Sequence, residues 1–504
     1  MIRKLWADRR GSYTITFGLV GLTLVMAAGG TTDMMRFLDT RAKLQDAVDQ
    51  TALIVATQHK NDEAGDGSSD SAKAKTLLAK TFDSENGTIG TVTASTSGNT
   101  LTLTADATIQ TYFLKIGGLQ NLTASAKTTA TWSASSLEIA LVLDTTGSMV
   151  DNDKLTNLKS AAISMVNTLS AKASANYSIK FTLVPFSNFV NVGPSNASAT
   201  WIDKGGSNRS SYYDAYFSSH ADRLAIFTKL GKTWPGCVET RPAPYDMDET
   251  APTTGTPDTL FVPAVHPDEP DSGSYIANDY LSDQSSSWDK ITKMKNKAKY
   301  DNPQNIDFSN STLYSNYHVP KGPQFLCDVK PIQRLTNDYA SVKSQIQALT
   351  AAGSTNVPEG IAWGWRAVSP KAPFADGRAY SDTENSKILV VLTDGTNSIN
   401  TFPTDIGGAY SSWGYPYSQR LGSNPGANLR TGLDAKTRTV CSKVKAAGIK
   451  VYTIGLMIDD ASGQQLLSDC SSGAAYYYNS PNAAQLQSIF EDIAKKISKL
   501  RIAS

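Results

Sequence analysis

Leu137-Glu-Ile-Ala-Leu-Val-Leu-Asp-Thr-Thr-Gly-Ser148 is the stretch that decides the fold. The run from Leu137 to Leu143 is short and apolar, the pattern of a strand buried on both faces, and it stops abruptly at Asp144. A helix is expected over 155–169, where Leu158, Ala162, Met165, Val166 and Leu169 share one face. The next strand reads over 177–186. After a long interruption, helical patterns return at 338–349 and 357–368. Strands follow at 388–393 and 450–455, separated by a helix at 435–447, and a last helix covers 483–500. Such alternation predicts an α/β fold, a doubly wound, mostly parallel sheet with helices on both faces. Ligands of such sheets bind beyond the carboxyl ends of the strands.

Three polar motifs fall at those ends. Asp144-Thr-Thr146-Gly-Ser148 leaves the first strand, Gly353-Ser-Thr355-Asn precedes a helix, and Thr393-Asp394-Gly395 leaves a later strand. Asp144, Thr146, Ser148, Thr355 and Asp394 all offer hard oxygen donors, suited to Mg²⁺, Mn²⁺ or Ca²⁺ and not to zinc. An extended turn presents alternate side chains to one side, so residues 144, 146 and 148 can converge on one ion while Gly147 relieves the bend. Two carboxylates balance a divalent charge, and a coordination place can stay open for an acidic group from elsewhere.

In order and position these motifs resemble the metal-ion-dependent adhesion site of von Willebrand factor type A domains. The resemblance implies that Asp144, Thr146, Ser148, Thr355 and Asp394 hold the metal, directly or through water, and that a partner's carboxylate completes its shell. The family more often has Ser where this chain has Thr146, which keeps the hydroxyl.

Upstream, no charged residue occurs between Arg10 and Asp33, an uncharged run of 22 residues. As a helix it would reach about 33 Å, close to the hydrocarbon thickness of a bilayer. Arg3, Lys4, Arg9 and Arg10 precede it against Asp8, whereas Asp33, Arg36, Asp39 and Arg41 beyond it are mixed. The positive-inside bias puts the N-terminus in the cytoplasm and the bulk outside. A cleavable signal sequence opens in the same way, with small residues at 27–30. The continuation argues for retention: Met34, Phe37, Leu38, Leu44, Val48, Ala52 and Val55 recur at helical spacing, so an amphipathic extension follows the span. From about Thr81 to Trp132 alternation of period two takes over. Leu101, Leu103, Ala105, Ala107 and Ile109 share a face, Ser97-Gly-Asn99 reads as a turn, and three or four strands are expected. The expected domains are therefore 1–60 (basic tail, span and amphipathic extension), 61–134 (small and β-rich) and 135–504, with insertions at about 188–334 and 397–429.

That combination is similar to TadG-like proteins, the type A component of tight-adherence (Flp) pilus assembly. Gly236-Cys-Val-Glu-Thr-Arg-Pro242, Leu467-Ser-Asp-Cys470 and the ending Lys499-Leu-Arg-Ile502 share in the likeness. It implies a bacterial inner-membrane protein with one N-terminal helix and a periplasmic bulk, associated with a pilus or the surface. Peptidase-processed pilins carry Glu five residues after the cleavage glycine. Thr16 stands there after Gly11, which implies an uncleaved anchor.

Composition narrows the function classes. Lys+Arg 47 against Asp+Glu 46 leaves +1 over 504 residues, with no electrostatic footprint for nucleic acid. Hydrophobic content of 40% excludes both global disorder and a polytopic membrane protein. Four cysteines allow three full pairings. Cys237 and Cys327 both fall in the long insertion, while Cys441 on a helix and Cys470 in an expected loop are local to the core. Cys237–Cys327 and Cys441–Cys470 are therefore the expected bridges of an oxidising compartment, against four buried thiols. Asp246-Met-Asp-Glu249 and Asp268-Glu-Pro-Asp271 read as solvated acidic loops sooner than Ca²⁺ sites. Tyr410, Trp413, Tyr415 and Tyr417 fit a contact surface and a self-packed loop equally. An enzyme is not expected: the aspartic-protease-like Asp-Thr-Thr-Gly-Ser has an extra threonine, and Gly231-Lys-Thr lacks the upstream glycine of a phosphate loop. His59, His220, His266 and His318 stand apart, as surface or loop residues.

The function expected is metal-dependent adhesion or pilus assembly on a protein partner. A minor pilin or envelope scaffold with a merely stabilising metal is the alternative, and a metal-dependent hydrolase a weaker one.

Overall fold

The computed structural model describes residues 10–61, 67–83, 85, 87–97, 100–131, 136–173, 177–204, 217, 221–271, 277–282, 290–312, 319–400, 408–422 and 429–499. Arg3, Lys4, Arg9, the Gly98-Asn99 turn, Trp132, His220, His318, the side chain of His59 and residues 500–502 lie outside that description. The chain divides into two compact units, Met1–Ala134 with Lys499–Ser504, and Ser135–Ser498.

In the first unit, α1 runs unbroken over Arg10–Asn61. It holds a stretch long and apolar enough to cross a membrane, within Phe17–Ala56 and near the N-terminus. Strands β1 (Thr88–Ser97), β2 (Thr100–Gln110) and β3 (Asn121–Thr131) form an antiparallel sheet in that order. Leu101, Leu103, Ala105 and Ala107 of β2 are buried in one cluster with Leu44, Val48, Ala52 and Val55 of α1. Alanine on alternate strand positions lets the helix lie close to the sheet, so the amphipathic half of α1 is part of this unit's core. The region expected to be β-rich also contains a helix, α2 (Gly67–Thr81), whose Ala74 and Leu78 enter the same cluster.

The second unit is built on a six-stranded sheet. Its strands are β4 (Ser136–Asp144), β5 (Ser178–Phe186), β6 (Gln333–Thr336), β7 (Asn385–Thr393), β8 (Lys450–Leu456) and β9 (Tyr477–Ser480), in the order β9-β8-β7-β4-β5-β6. All pairings are parallel except that of β6 with β5. Alternation splits the strand residues between two faces. Ile139, Leu141 and Leu143 meet α3 (Lys154–Ser170), α4 (Tyr339–Gln347) and α8 (Leu486–Lys499). Ala140 and Val142 meet α5 (Val357–Val368) and α6 (Leu429–Ala446). The remaining long helix, α7 (Ala461–Cys470), carries Cys470 at its end, where a loop was expected.

Every residue of α5 is buried. Its inner side lies against the sheet through two glycines: a Cβ on Gly360 would stand 2.6 Å from Phe186, and one on Gly364 2.4 Å from Val142. Its outer side is covered by the first insertion. Arg366 donates to the Asp248 and Asp246 carbonyls, and Glu359 accepts from Thr240 Oγ1 at 2.8 Å. Cys237–Cys327 staples this insertion, and Cys441–Cys470 ties α6 to α7.

Candidate functional site

β4 is the first strand of its unit, and the chain proceeds from it to β5 on one side and later to β7 on the other. The strand order therefore reverses at β4, and a crevice opens beyond its carboxyl end. Leu143 pairs with Leu392, so Asp144 and Thr393 finish neighbouring strands at the same level.

Three loops are stitched together there. Gly147 N–H donates to Gly353 O at 2.9 Å and Ala352 N–H to Thr145 O at 2.9 Å, which joins the first motif to the second. Gly353 takes φ +85°, and a Cβ on it would stand 2.3 Å from Asn188 Oδ1, the atom that accepts the Ser354 N–H. Only glycine suits that place. The third motif joins through side chains: Ser148 Oγ donates to Asp394 Oδ1 at 2.7 Å, and Thr393 Oγ1 to Asp144 Oδ2 at 2.6 Å. Thr146 Oγ1 lies 3.1 Å from Ser148 Oγ, and the Thr146 N–H donates to Asp144 Oδ1 at 2.8 Å. Asp144, Thr146, Ser148 and Asp394 thus form one connected cluster. Thr355 stands beside it rather than in it. Its Oγ1 is 3.5 Å from where a Cβ on Gly395 would be, and its backbone exchanges hydrogen bonds with Ser398.

Asp144, Thr146, Thr355 and Asp394 are buried, while Ser148 is exposed and opens the cluster to solvent. Burial, together with the nearby charge of Asp394, raises the Asp144 carboxyl above the usual carboxylate range, against the Thr146 and Thr393 hydrogen bonds that lower it. Two buried carboxylates repel unless a cation sits with them. One cation is supplied by the chain: Lys154 Nζ lies 2.8 Å from Asp394 Oδ2. The sequence reading missed Lys154. Its signal is position, since a lysine at the first residue of α3 opposes the helix dipole and must be held by something else. With one ammonium against two carboxylates, the cluster favours a further positive charge. Hydroxyl and carboxylate oxygens without thiol or imidazole fit a hard divalent ion. Among the described residues no group of three or more His, Cys, Asp or Glu could hold a metal, so the hydroxyls are essential to the candidate set.

The second insertion supports the site from behind. Trp413 Nε1 donates to Asn356 Oδ1 at 3.1 Å, and Asn356 Nδ2 to Ser412 Oγ at 2.9 Å. Tyr410, Trp413 and Tyr415 are buried, with Tyr410 and Tyr415 rings 5.3 Å apart, so these aromatics pack the loop and present no contact surface. The acidic loops are not solvated either. Asp268 Oδ1 accepts the Tyr280 and Leu281 N–H groups at 2.7 Å, and Glu269 Oε2 those of Ala277 and Asn278 at 2.7 and 2.9 Å. Asp246 and Glu249 are buried and ion-paired with Lys436 and Lys371. His266 is a fully buried core histidine rather than a surface one, and Asn278 Nδ2 lies 2.7 Å from its Nδ1.

Residues 11–58 match the model of the family described as "Tad: Putative Flp pilus-assembly TadE/G-like". No curated protein matches the chain. Three solved structures are similar at low identity. The pilus adhesin SpaC from Lactobacillus rhamnosus GG is 11% identical, with 81% of this chain and 34% of that one covered and a TM-score of 0.33. The vWF domain of the type V pili tip protein Mfa5 from Porphyromonas gingivalis is 10% identical, with 74% and 98% covered and a TM-score of 0.34. A von Willebrand factor type A structure from Catenulispora acidiphila is 10% identical, with 81% and 50% covered and a TM-score of 0.28. The chain spans about a third of the length of the SpaC adhesin.

Proposed function

We propose, from the match of residues 11–58 to the pilus-assembly family, that the chain is a membrane-anchored, non-enzymatic assembly or adhesion protein. Its α1 crosses the bacterial inner membrane once with the N-terminus in the cytoplasm, and both compact units lie on the periplasmic side. The second unit grips a pilus or envelope protein through an acidic side chain of that partner. Asp144, Thr146, Ser148, Thr355 and Asp394 would hold a Mg²⁺ ion, or Mn²⁺ or Ca²⁺. When bound, the ion supplies a Lewis-acidic coordination place for the partner's carboxylate.

The observation that carries the adhesion reading is the Ser148–Asp394 hydrogen bond, which brings two motif loops together beside Asp144. The chain's own residues do the positioning. Thr393 orients Asp144, Ser148 shares one oxygen of Asp394, and Lys154 holds the other. Exposed Ser148 marks the side from which a partner approaches. The test is capture of envelope proteins by the full chain with Mg²⁺ or with EDTA, for the wild type and for Asp144→Asn. Capture that survives both EDTA and the substitution overturns the adhesion mechanism.

A second reading, a pilus subunit or scaffold with a merely stabilising ion, is favoured by one fact: the family match is confined to α1. It expects EDTA to lower the melting temperature and leave capture intact.

A further inference from the structure

The loop between β2 and β3 is fastened to α1 at the place where the uncharged run ends. The carboxylate of Asp33, itself buried, accepts the N–H groups of Tyr112 at 3.0 Å, Phe113 at 2.8 Å and Leu114 at 2.9 Å. Gly29 meets the Phe113 ring so closely that a Cβ there would stand 2.2 Å from it, and Leu114 sits 3.3 Å from the corresponding point on Gly30. The loop therefore has a fixed height on α1, level with residues 29–33.

That height is informative. Residues 11–32 carry no charge, and at about 1.5 Å per residue they cover the hydrocarbon core, so Asp33 marks its edge. Phe17, Leu19, Val20, Leu24 and Val25 are exposed along this stretch, as side chains facing lipid would be. At the edge the loop turns apolar groups outward: Tyr112 is 58%, Ile116 57% and Leu119 48% exposed. Met34 and Met35 of α1 are exposed at the same level. The polar groups among them suit an interface. Exposed Lys115 sits within the loop. The Arg36 guanidinium lies 4.2 Å from the Tyr112 ring centre and donates to Gln110 O at 3.3 Å. Aromatic rings and long cationic side chains around an apolar tip are the composition of a headgroup-level contact.

We infer that the β2–β3 loop, through Tyr112, Ile116 and Leu119, dips into the lipid leaflet at the edge of the span. It forms with α1 a two-point membrane contact that fixes the tilt of the first unit. The inference rests on the proposed reading of α1 as a membrane span, and it adds a lipid-binding surface to the β-unit.

The test is a depth measurement on the full chain in phosphatidylethanolamine–phosphatidylglycerol vesicles. The described cysteines are all disulfide-bonded, so a single introduced thiol takes an environment-sensitive fluorophore. Three variants are compared: Val25→Cys in the span, Ile116→Cys in the loop, and Ser97→Cys at the far end of the β1–β2 hairpin. Lipids spin-labelled near the headgroup or at a shallow acyl carbon should remove most of the emission at position 116, with a blue shift. Labels deep in the acyl chain should quench position 25, and no label should quench position 97. Quenching at 25 but not at 116 overturns the loop contact while leaving the span intact. A blue shift at 116 without quenching by lipid means that protein, such as a second copy, covers the loop, and overturns it too. Quenching at 97 equal to that at 116 removes the specificity of the contact. Absence of quenching at both 25 and 116 defeats the span reading itself, and the loop contact with it.

Discussion

Ser148 and Asp394, 246 residues apart in the chain, share a 2.7 Å hydrogen bond between the loop that leaves β4 and the loop that leaves β7. The second oxygen of Asp394 belongs to Lys154 at 2.8 Å. The cluster thus carries its own partial counter-charge, which keeps its two acids tolerable in the absence of an added cation. A buried pair broken from one side leaves an uncompensated charge worth about 3–5 kcal/mol.

Lys154→Met is expected to separate folding from ion binding. Without the ammonium, Asp394 and Asp144 face each other alone, so the variant should melt well below the wild type in EDTA. Added Mg²⁺ should recover more stability in the variant than in the wild type, because the ion then replaces the missing charge. For either protein, cation at a hundredfold over its dissociation constant adds about 2.7 kcal/mol. Asp144→Asn, which retains the bulk of the side chain, should abolish the cation response while costing less in EDTA. Melting curves with a Mg²⁺ titration check all three. An equal response in the wild type and Asp144→Asn would remove the ion from this site.

The buried acids of the long insertion predict a pH dependence. Burial raises Asp268 to about 6 and Glu269 to about 7, against the hydrogen bonds that lower them. A carboxyl whose folded value is raised binds more protons folded than unfolded. Each therefore contributes a stability that is full below the unfolded carboxylate range and declines as pH rises to the folded value. His266 acts in the opposite sense, since burial lowers it to about 3 and its stabilising neutral form is lost to unfolding as pH falls below about 6.5. Glu269→Gln isolates one contribution. Relative to the wild type, its stability should rise with pH between about 4.5 and 7, by at most about 1.4 kcal/mol per pH unit, and be level above. Urea melts at three pH values across that window check the sign.

How far the chain announces this structure depends on burial. Ile139, Leu141 and Leu143 against Ala140 and Val142 make β4 plain, because both faces of a central strand are apolar. The edge strands Gln333–Thr336 and Tyr477–Ser480 escape notice, being short, mostly half-exposed and without an apolar run. Helix Gly67–Thr81 opens on Gly-Ser-Ser-Asp, which has the composition of a loop; only packing on the first unit's core makes it a helix. At the site, alternate spacing suffices to gather Asp144, Thr146 and Ser148, whereas Lys154 and Thr393 act through contacts between distant loops. The Tyr410–Tyr417 aromatics are ambiguous in sequence because burial behind Asn356 and exposure to a partner demand the same side chains.

The two bridges should differ in what they contribute. In the chain-entropy account, a cross-link stabilises in proportion to the logarithm of the loop it closes. Cys237–Cys327 closes a separation of 90 residues and Cys441–Cys470 one of 29. Removing both partners of the first pair by Cys→Ala is expected to cost about 4–5 kcal/mol, and of the second about 1 kcal/mol less. Denaturant melts of the two double variants check the order. The reverse order would mean that the long insertion stays structured in the unfolded chain.

Gly364→Ala tests how the helix behind the site depends on close approach. In an ordinary helix interior this change stabilises by up to about 1 kcal/mol, since alanine loses less backbone entropy. Here the new methyl would stand 2.4 Å from Val142 Cγ2, within a helix whose every residue is buried. Neither side can yield: the sheet lies beneath, and Arg366 holds the insertion above through the Asp246 and Asp248 carbonyls. Overpacking of this kind costs about 1–3 kcal/mol. Because Thr355 and Asn356 directly precede α5, a helix displaced from β4 should also move Thr355 away from Gly395. Gly364→Ala is therefore expected to lower both the urea midpoint and the Mg²⁺-induced shift in melting temperature. Gly231→Ala, at an open position with φ +65°, should cost stability through backbone strain and leave the Mg²⁺ shift unchanged.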